Sequence, residues 1–353
     1  MAVAPDPFDA LDWQPARLSE RVATARARAS ARRHGAVADL RLDDDARLTD
    51  QLRFEVRSRI EALVTTIATD LLVQAERLGG QDEARRTPLA DVIRRLRQAG
   101  VLYDPDLVGE LIAQVRQQML ADALPIETMA GDAPSLLVRL TEAPDRIVAG
   151  AARAVLAAEG RSRTVEPDGA AIGLPIALRR SLVWSVAASL RQAEDRDFDQ
   201  ALGQAAERVL AALGETDRPG AAMLRLAAAI DARPAELPDL LLESLSDRQL
   251  GLFIALLSHA SGIDHDDVRE LVIEPEGERL WLVLRALDLG RAPIARIGLA
   301  LSDADRRRDV ERFADAIDAI MAIPVAAAQG AIASLRLPQD FRDAIARLEG
   351  ASR

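Results

Sequence analysis

Between Ser246 and Leu301 the sequence carries two helical patterns with almost no face that could be left in water, and few folds accept both. Leu250, Phe253, Ile254 and Leu257 stand at offsets 0, 3, 4 and 7, and Leu252 and Leu256 widen that stripe to most of the circumference. A helix that is apolar nearly all round must sit among other helices. Ser246 and Gln249 have the spacing of a capping box, Leu245 and Leu250 flank it as a hydrophobic staple, and Gly262 closes the helix. After a short acidic helix, a second central helix is predicted over Glu278–Leu289, ended by Gly290 and broken beyond it by Pro293.

The same period governs the rest of the chain. Leu52, Val56, Ile60, Leu63, Ile67 and Leu71 recur every three or four residues, which predicts one long amphipathic helix over 49–78, closed by Gly79-Gly80 and suited to a bundle or a homo-oligomeric seam. Asp104-Pro105 and Thr87-Pro88 each read as a cap followed by a first-turn proline. Further helices are expected at Pro134–Leu140, Pro144–Ala158, Pro175–Glu194, Asp199–Leu213, Pro219–Asp231, Pro238–Leu245, Ser302–Ala322, Pro324–Leu335 and Pro338–Leu348. Aromatic residues make up only 3 % against 49 % hydrophobic, a balance dominated by Ala, Leu, Val and Ile that belongs to close-packed helices. The expected fold class is all-α, a multi-helix bundle or irregular HEAT-like helical array in two lobes, although no consensus repeat is found. Residues 160–173 collect Gly, Pro and charge without a helical period, so the expected division is 1–46 (basic helix and linker), 47–160 (helical bundle) and 174–353 (HEAT-like domain).

Composition also excludes function classes. With no cysteine there is no disulfide, thiolate metal site or thiol nucleophile. Every one of the 45 basic residues is arginine, which removes a P-loop lysine and any Schiff base. A net charge of −11 argues against general nucleic-acid binding. The acidic, proline-containing start at Met1–Trp13 lacks the pattern of a signal peptide, and no apolar run reaches the ~20 residues of a membrane span, so a cytoplasmic protein is expected. One segment departs from the acidic balance: Arg17, Arg21, Arg26, Arg28, Arg32 and Arg33 stand against the single Glu20 within residues 17–33. Such a helix can lie on an anionic membrane or polyanion, but its apolar strip of Leu18, Val22, Ala25 and Ala29 is weak, and packing on the chain's own acidic body is the simpler reading.

Candidate chemistry is sparse. His259, Asp264, His265, Asp266 and Asp267 form the one grouping of imidazoles and carboxylates, and a metal-dependent or hydrolytic enzyme would have to use it. Two histidines on one helix face are needed at i and i+4, however, and Gly262 breaks the helix between these two. The plainer reading makes Asp264 a helix cap, with Asp266 and Asp267 complementing the helix dipole. Glu274, Glu276 and Glu278 stand on a Pro-Gly turn that reads as solvated, and Arg285 inside an apolar helix has Asp288 at i+3 as an ion-pair partner. No Gly-x-Ser-x-Gly or glycine-rich phosphate loop occurs, and with His34 the histidines number three, too few for ready triad chemistry.

Three runs, Ser-Asp-Arg-Gln-Leu-Gly-Leu-Phe-Ile-Ala-Leu-Leu at 246–257, Leu-Val-Ile-Glu-Pro-Glu-Gly-Glu-Arg-Leu-Trp at 271–281 and Ala-Pro-Ile-Ala-Arg-Ile-Gly-Leu-Ala-Leu at 292–301, resemble a bacterial helical family known as domain-of-unknown-function family 2336. The segment Ala46-Arg-Leu-Thr-Asp-Gln-Leu-Arg53 is similar to the early part of that family, so the resemblance covers most of residues 40–350. It implies an all-helical protein and supplies no activity, cofactor or catalytic residue. The functional expectation is therefore a non-enzymatic helical scaffold or regulatory protein that binds another protein, with no catalytic, cofactor or metal residue assigned.

Overall fold

A computed structural model describes residues 48–79, 88–125, 134–164, 173–191, 196–212 and 219–350. The basic segment 17–33 and His34 lie outside the described residues. By contacts Gln51–Arg353 group as one compact unit. Among the described residues every regular element is helical, which makes the fold all-α as the periodicity requires.

Local chemistry starts the helices where the sequence places its caps. The long amphipathic pattern becomes α1 (Asp50–Gly79), with Leu63, Val64, Ile67, Ala68 and Leu71 buried. Pro88 precedes α2 (Leu89–Gln98), and Gly100 takes the left-handed conformation, φ 79°, just beyond its end. Asp104 then caps α3 (Pro105–Ala123), its carboxylate accepting the N–H groups of Asp106 and Leu107 at 3.1 and 3.0 Å. Proline at the first helical position loses no hydrogen bond there. α4 (Leu136–Leu140), α5 (Arg146–Thr164), α6 (Ile176–Leu190), α7 (Arg196–Ala211), α8 (Pro219–Ile230) and α9 (Leu237–Ser246) follow.

The all-round apolar pattern becomes α10 (Leu250–Ser261), and its surroundings explain its composition. It packs against α3, α8, α9 and α11 (His265–Ile273), so Leu252, Phe253, Ile254, Ala255, Leu256 and Leu257 are all buried. α12 (Glu278–Ala286) packs on α11, α14 (Val310–Ala322) and α15 (Val325–Ala331), and it buries Leu280, Trp281, Val283 and Leu284. The Trp281 ring meets Phe313 of α14 with centroids 4.6 Å apart. α13 (Arg291–Ala304) closes the group against α3, α9 and α14, and α16 (Gln339–Gly350) ends the described chain. One hydrophobic cluster runs through these helices from Ala113 to Ile332. It spans the stretch 160–173: α5 reaches Thr164 with Gly160 inside it, and α5 packs on α8 from the far side of that stretch. Residues 165–172 lie outside the described residues. No single described helix is long and apolar enough to cross a membrane. The bent pair α14–α15, turned by 108°, passes only as a pair, and it contributes Phe313, Ile317, Ile320 and Ala328 to the core.

Three local expectations fail. Ser246 does not cap α10: it is the last residue of α9, and its hydroxyl donates to the Leu242 carbonyl at 3.0 Å. Instead the turn closes as a Schellman motif, with Gln249 N–H on the Ser244 carbonyl (2.7 Å), Arg248 N–H on Leu245 (2.9 Å) and Arg248 at φ 58°. Satisfying the last carbonyls of α9 outweighs a side-chain cap on α10. The same motif recurs after α12, where Asp288 takes φ 59° and Leu289 N–H reaches the Leu284 carbonyl at 3.2 Å. Pro293 therefore breaks nothing, since it sits in the first turn of α13, where its missing N–H is not needed. Finally, the helix expected over Ser302–Ala322 is interrupted. α13 ends at Ala304 and Asp309 caps α14 by accepting the Arg312 N–H at 3.0 Å.

Candidate functional site

The imidazole and carboxylate grouping separates in space. His259, at the end of α10, places Nε2 3.0 Å from Asp231 Oδ1, beyond the end of α8. His265 points elsewhere: Nδ1 lies 3.4 Å from Asp266 Oδ1, Nε2 is buried without a partner, and the ring covers Gly220 so closely that a Cβ there would stand 2.8 Å from Cε1. Asp264 caps α11 by accepting the Asp266 N–H at 2.9 Å, and Asp267 pairs with Arg342. His259 and Asp267 are thus committed to Asp231 and Arg342, while Asp264, His265 and Asp266 contact one another at the start of α11. Among the described residues no three His, Asp or Glu side chains converge as a metal site would require.

The acidic turn is likewise taken up by arginines. Glu274 receives Arg279 at 3.1 Å, and Glu278 pairs with Arg312 at 3.1 Å. Arg285 pairs with Asp288 at 2.9 Å and donates Nε to the Ile323 carbonyl at 2.8 Å, so it ties α12 to the end of α14. Behind that turn, Arg308 is only 7 % exposed, donates to the Val272 carbonyl and lies so close to Gly277 (φ 66°) that a Cβ there would stand 2.8 Å from its Nη1. Burial lowers the Arg308 pKa and also that of Arg116, which Arg307 lowers further by repulsion. Arg307 is itself held by Asp305 at 2.7 Å and reaches the Ile273 carbonyl. Arg307 and Arg308 thus fasten the turn before α14 to the end of α11.

An open concavity lies elsewhere, between α5 and α8. It has a volume of about 440 Å³, with a floor of alanines (Ala151 and Ala154 from α5, Ala222, Ala228 and Ala229 from α8), Ile147 at one end and Arg225 in its lining. The spacing follows from helix geometry, because residues three and four apart share a face and small side chains let the two helices approach while leaving a trough between them. The inner faces hold the helices in place: Val148, Ala152 and Val155 of α5, with Leu226 and Ala227 of α8, are buried. Ile147 stays 73 % exposed, the largest apolar exposure among the large residues of these two helices. Asp145 starts α5 by accepting the Ile147 N–H at 2.7 Å, which fixes where Ile147 projects.

A family model described as "Uncharacterised protein conserved in bacteria (DUF2336)" matches residues 131–333, more than half of the chain. The chain belongs to the DUF2336 family. No curated protein and no solved structure matches it. The DUF2336 span agrees with the packing: apart from Ala113, Leu120 and Leu124, all of the main core cluster falls within it. Both walls of the trough, α5 and α8, lie inside the DUF2336 span as well.

Sequence reading did not single out the trough. Its signal was present in the alanines at 151, 154, 222 and 229, but alanine at helical spacing occurs wherever helices pack closely. Only the exposure of Ile147 separates a trough from a sealed contact.

Proposed function

We propose that this DUF2336 protein is a non-enzymatic helical scaffold or regulator that acts in the cytoplasm by binding another protein, and that the α5–α8 trough is its contact surface. The observation that carries the reading is Ile147, a large apolar side chain 73 % exposed at the end of an apolar concavity of about 440 Å³. Folding gains nothing from an isoleucine in water, whereas a partner that covers it recovers its burial. Support of a different kind comes from α9–α10 and α12–α13, two helix pairs joined by the same left-handed turn at Arg248 and Asp288. Repeated helix pairs build the HEAT-like arrays whose surfaces serve as docking platforms.

The test is a photo-crosslinking amino acid placed at position 147 in the native cell, with position 57 as an exposed control. Protein adducts specific to position 147 are expected. Equal adduct patterns at both positions, or none at 147, would refute the assignment.

A further inference from the structure

Resting on that reading, we infer that the occupant of the trough is an acidic amphipathic helix of a partner protein, seating apolar side chains on the alanine floor and a carboxylate on Arg225. Three observations carry this. First, Ile147, Ala151 and Ala154 on one wall and Ala222, Arg225 and Ala229 on the other each span two helical turns, about 10 Å at 1.5 Å per residue. A two-turn trough matches apolar anchors at i, i+3 or i+4, and i+7 of a docked helix. Second, the floor is made of alanines, so the volume has to be filled by the large side chains of the occupant. Third, Arg225 lines the trough, and its guanidinium has no hydrogen-bond or ion-pair partner among the described residues. Neighbouring arginines are engaged: Arg153 donates to the Thr141 carbonyl at 2.8 Å and Arg139 pairs with Glu243. In a chain of net charge −11, an unpaired guanidinium in the lining of an apolar trough selects against a basic helix and for a carboxylate-bearing one.

The experiment uses the full chain and two fluorescent helical peptides of identical leucine spacing, one with glutamate and one with lysine at the remaining charged positions. The glutamate peptide is expected to bind saturably and about tenfold more tightly than the lysine peptide, with the difference shrinking as salt rises. Ala154→Phe fills the trough from an exposed position and should weaken the glutamate peptide about tenfold. Arg225→Glu should reverse the preference between the peptides, with the helical circular dichroism signal and thermal midpoint of both variants unchanged. Equal binding of the two peptides, or glutamate-peptide binding indifferent to Ala154→Phe, overturns the inference. So does self-association abolished by Ala154→Phe, which would assign the trough to a second copy. If the peptides fail while position 147 still crosslinks a protein, the acidic helix is wrong and the interaction reading stands.

Discussion

Arg269 of α11 grips Glu110 of α3 through two hydrogen bonds, Nη2 to Oε2 at 2.6 Å and Nη1 to Oε1 at 3.0 Å, with the two side chains only 9 % and 12 % exposed. Gln114, one turn along α3, donates to the same Glu110 Oε1 at 2.7 Å and to the Gly173 carbonyl at 2.9 Å. Burial works against the Arg269 charge, yet the hydrogen bonds and charge of Glu110 prevail and raise its pKa. The pair links a helix that precedes the DUF2336 span to one inside it.

Removing Arg269 leaves the buried Glu110 carboxylate without its cation, and removing Glu110 leaves Arg269 to its longer 3.6 Å contact with Asp266. Glu110→Gln or Arg269→Met should each cost about 3–5 kcal/mol in urea unfolding, whereas Glu110→Leu combined with Arg269→Met should recover most of that loss. A double variant as unstable as the single ones would show that the pair is worth more than an apolar contact of similar volume.

Leu256 and Trp281 test the core. Both are buried, Leu256 on the enclosed α10 and Trp281 against Phe313, so Leu256→Ala should cost about 2–5 kcal/mol and Trp281→Ala about 3–5 kcal/mol. Unchanged denaturation midpoints for both variants would place these helices on a surface.

At Gly298 of α13 the constraint is space. A Cβ there would lie 2.1 Å from Cζ of Phe313, which is itself held in the core. Gly298→Ala should therefore destabilise by about 1–3 kcal/mol, despite alanine's better helix propensity, and adding Phe313→Leu should relieve part of the loss. A Gly298→Ala variant more stable than the parent would mean that the ring moves aside freely.

Asp305 supplies the pH dependence. Burial would raise its pKa, but hydrogen bonds from Arg307 and the nearby Arg307 and Arg308 charges overcome it, so the folded-state value lies below the ordinary carboxylate range. A depressed carboxylate stabilises the fold above its unfolded pKa, and that contribution is lost as pH falls through the folded value. Stability measured by chemical denaturation should fall from about pH 4 downward, and Asp305→Asn should flatten that slope while lowering stability at neutral pH. Parallel acid profiles for parent and variant would remove Asp305 from the account.

The sequence by itself determined the all-α class, the start of α3 at Asp104-Pro105, the cap of α11 at Asp264 and the enclosure of α10 and α12. Those features rest on interactions within a few residues: a side-chain oxygen meeting nearby N–H groups, or an apolar period that marks which faces must leave water. Where two local solutions competed, only the assembled chain chose between them. Ser246 could cap α10 or extend α9, and closing the carbonyls of α9 through Arg248 decided it. Tertiary structure alone brought Arg269 to Glu110 across 159 positions, sent His259 and His265 to different partners and set α5 beside α8 with Ile147 left in water. The reason is that helix crossings, not helix periods, fix which faces meet, and a stripe of alanines reads the same in sequence whether its trough is sealed or open.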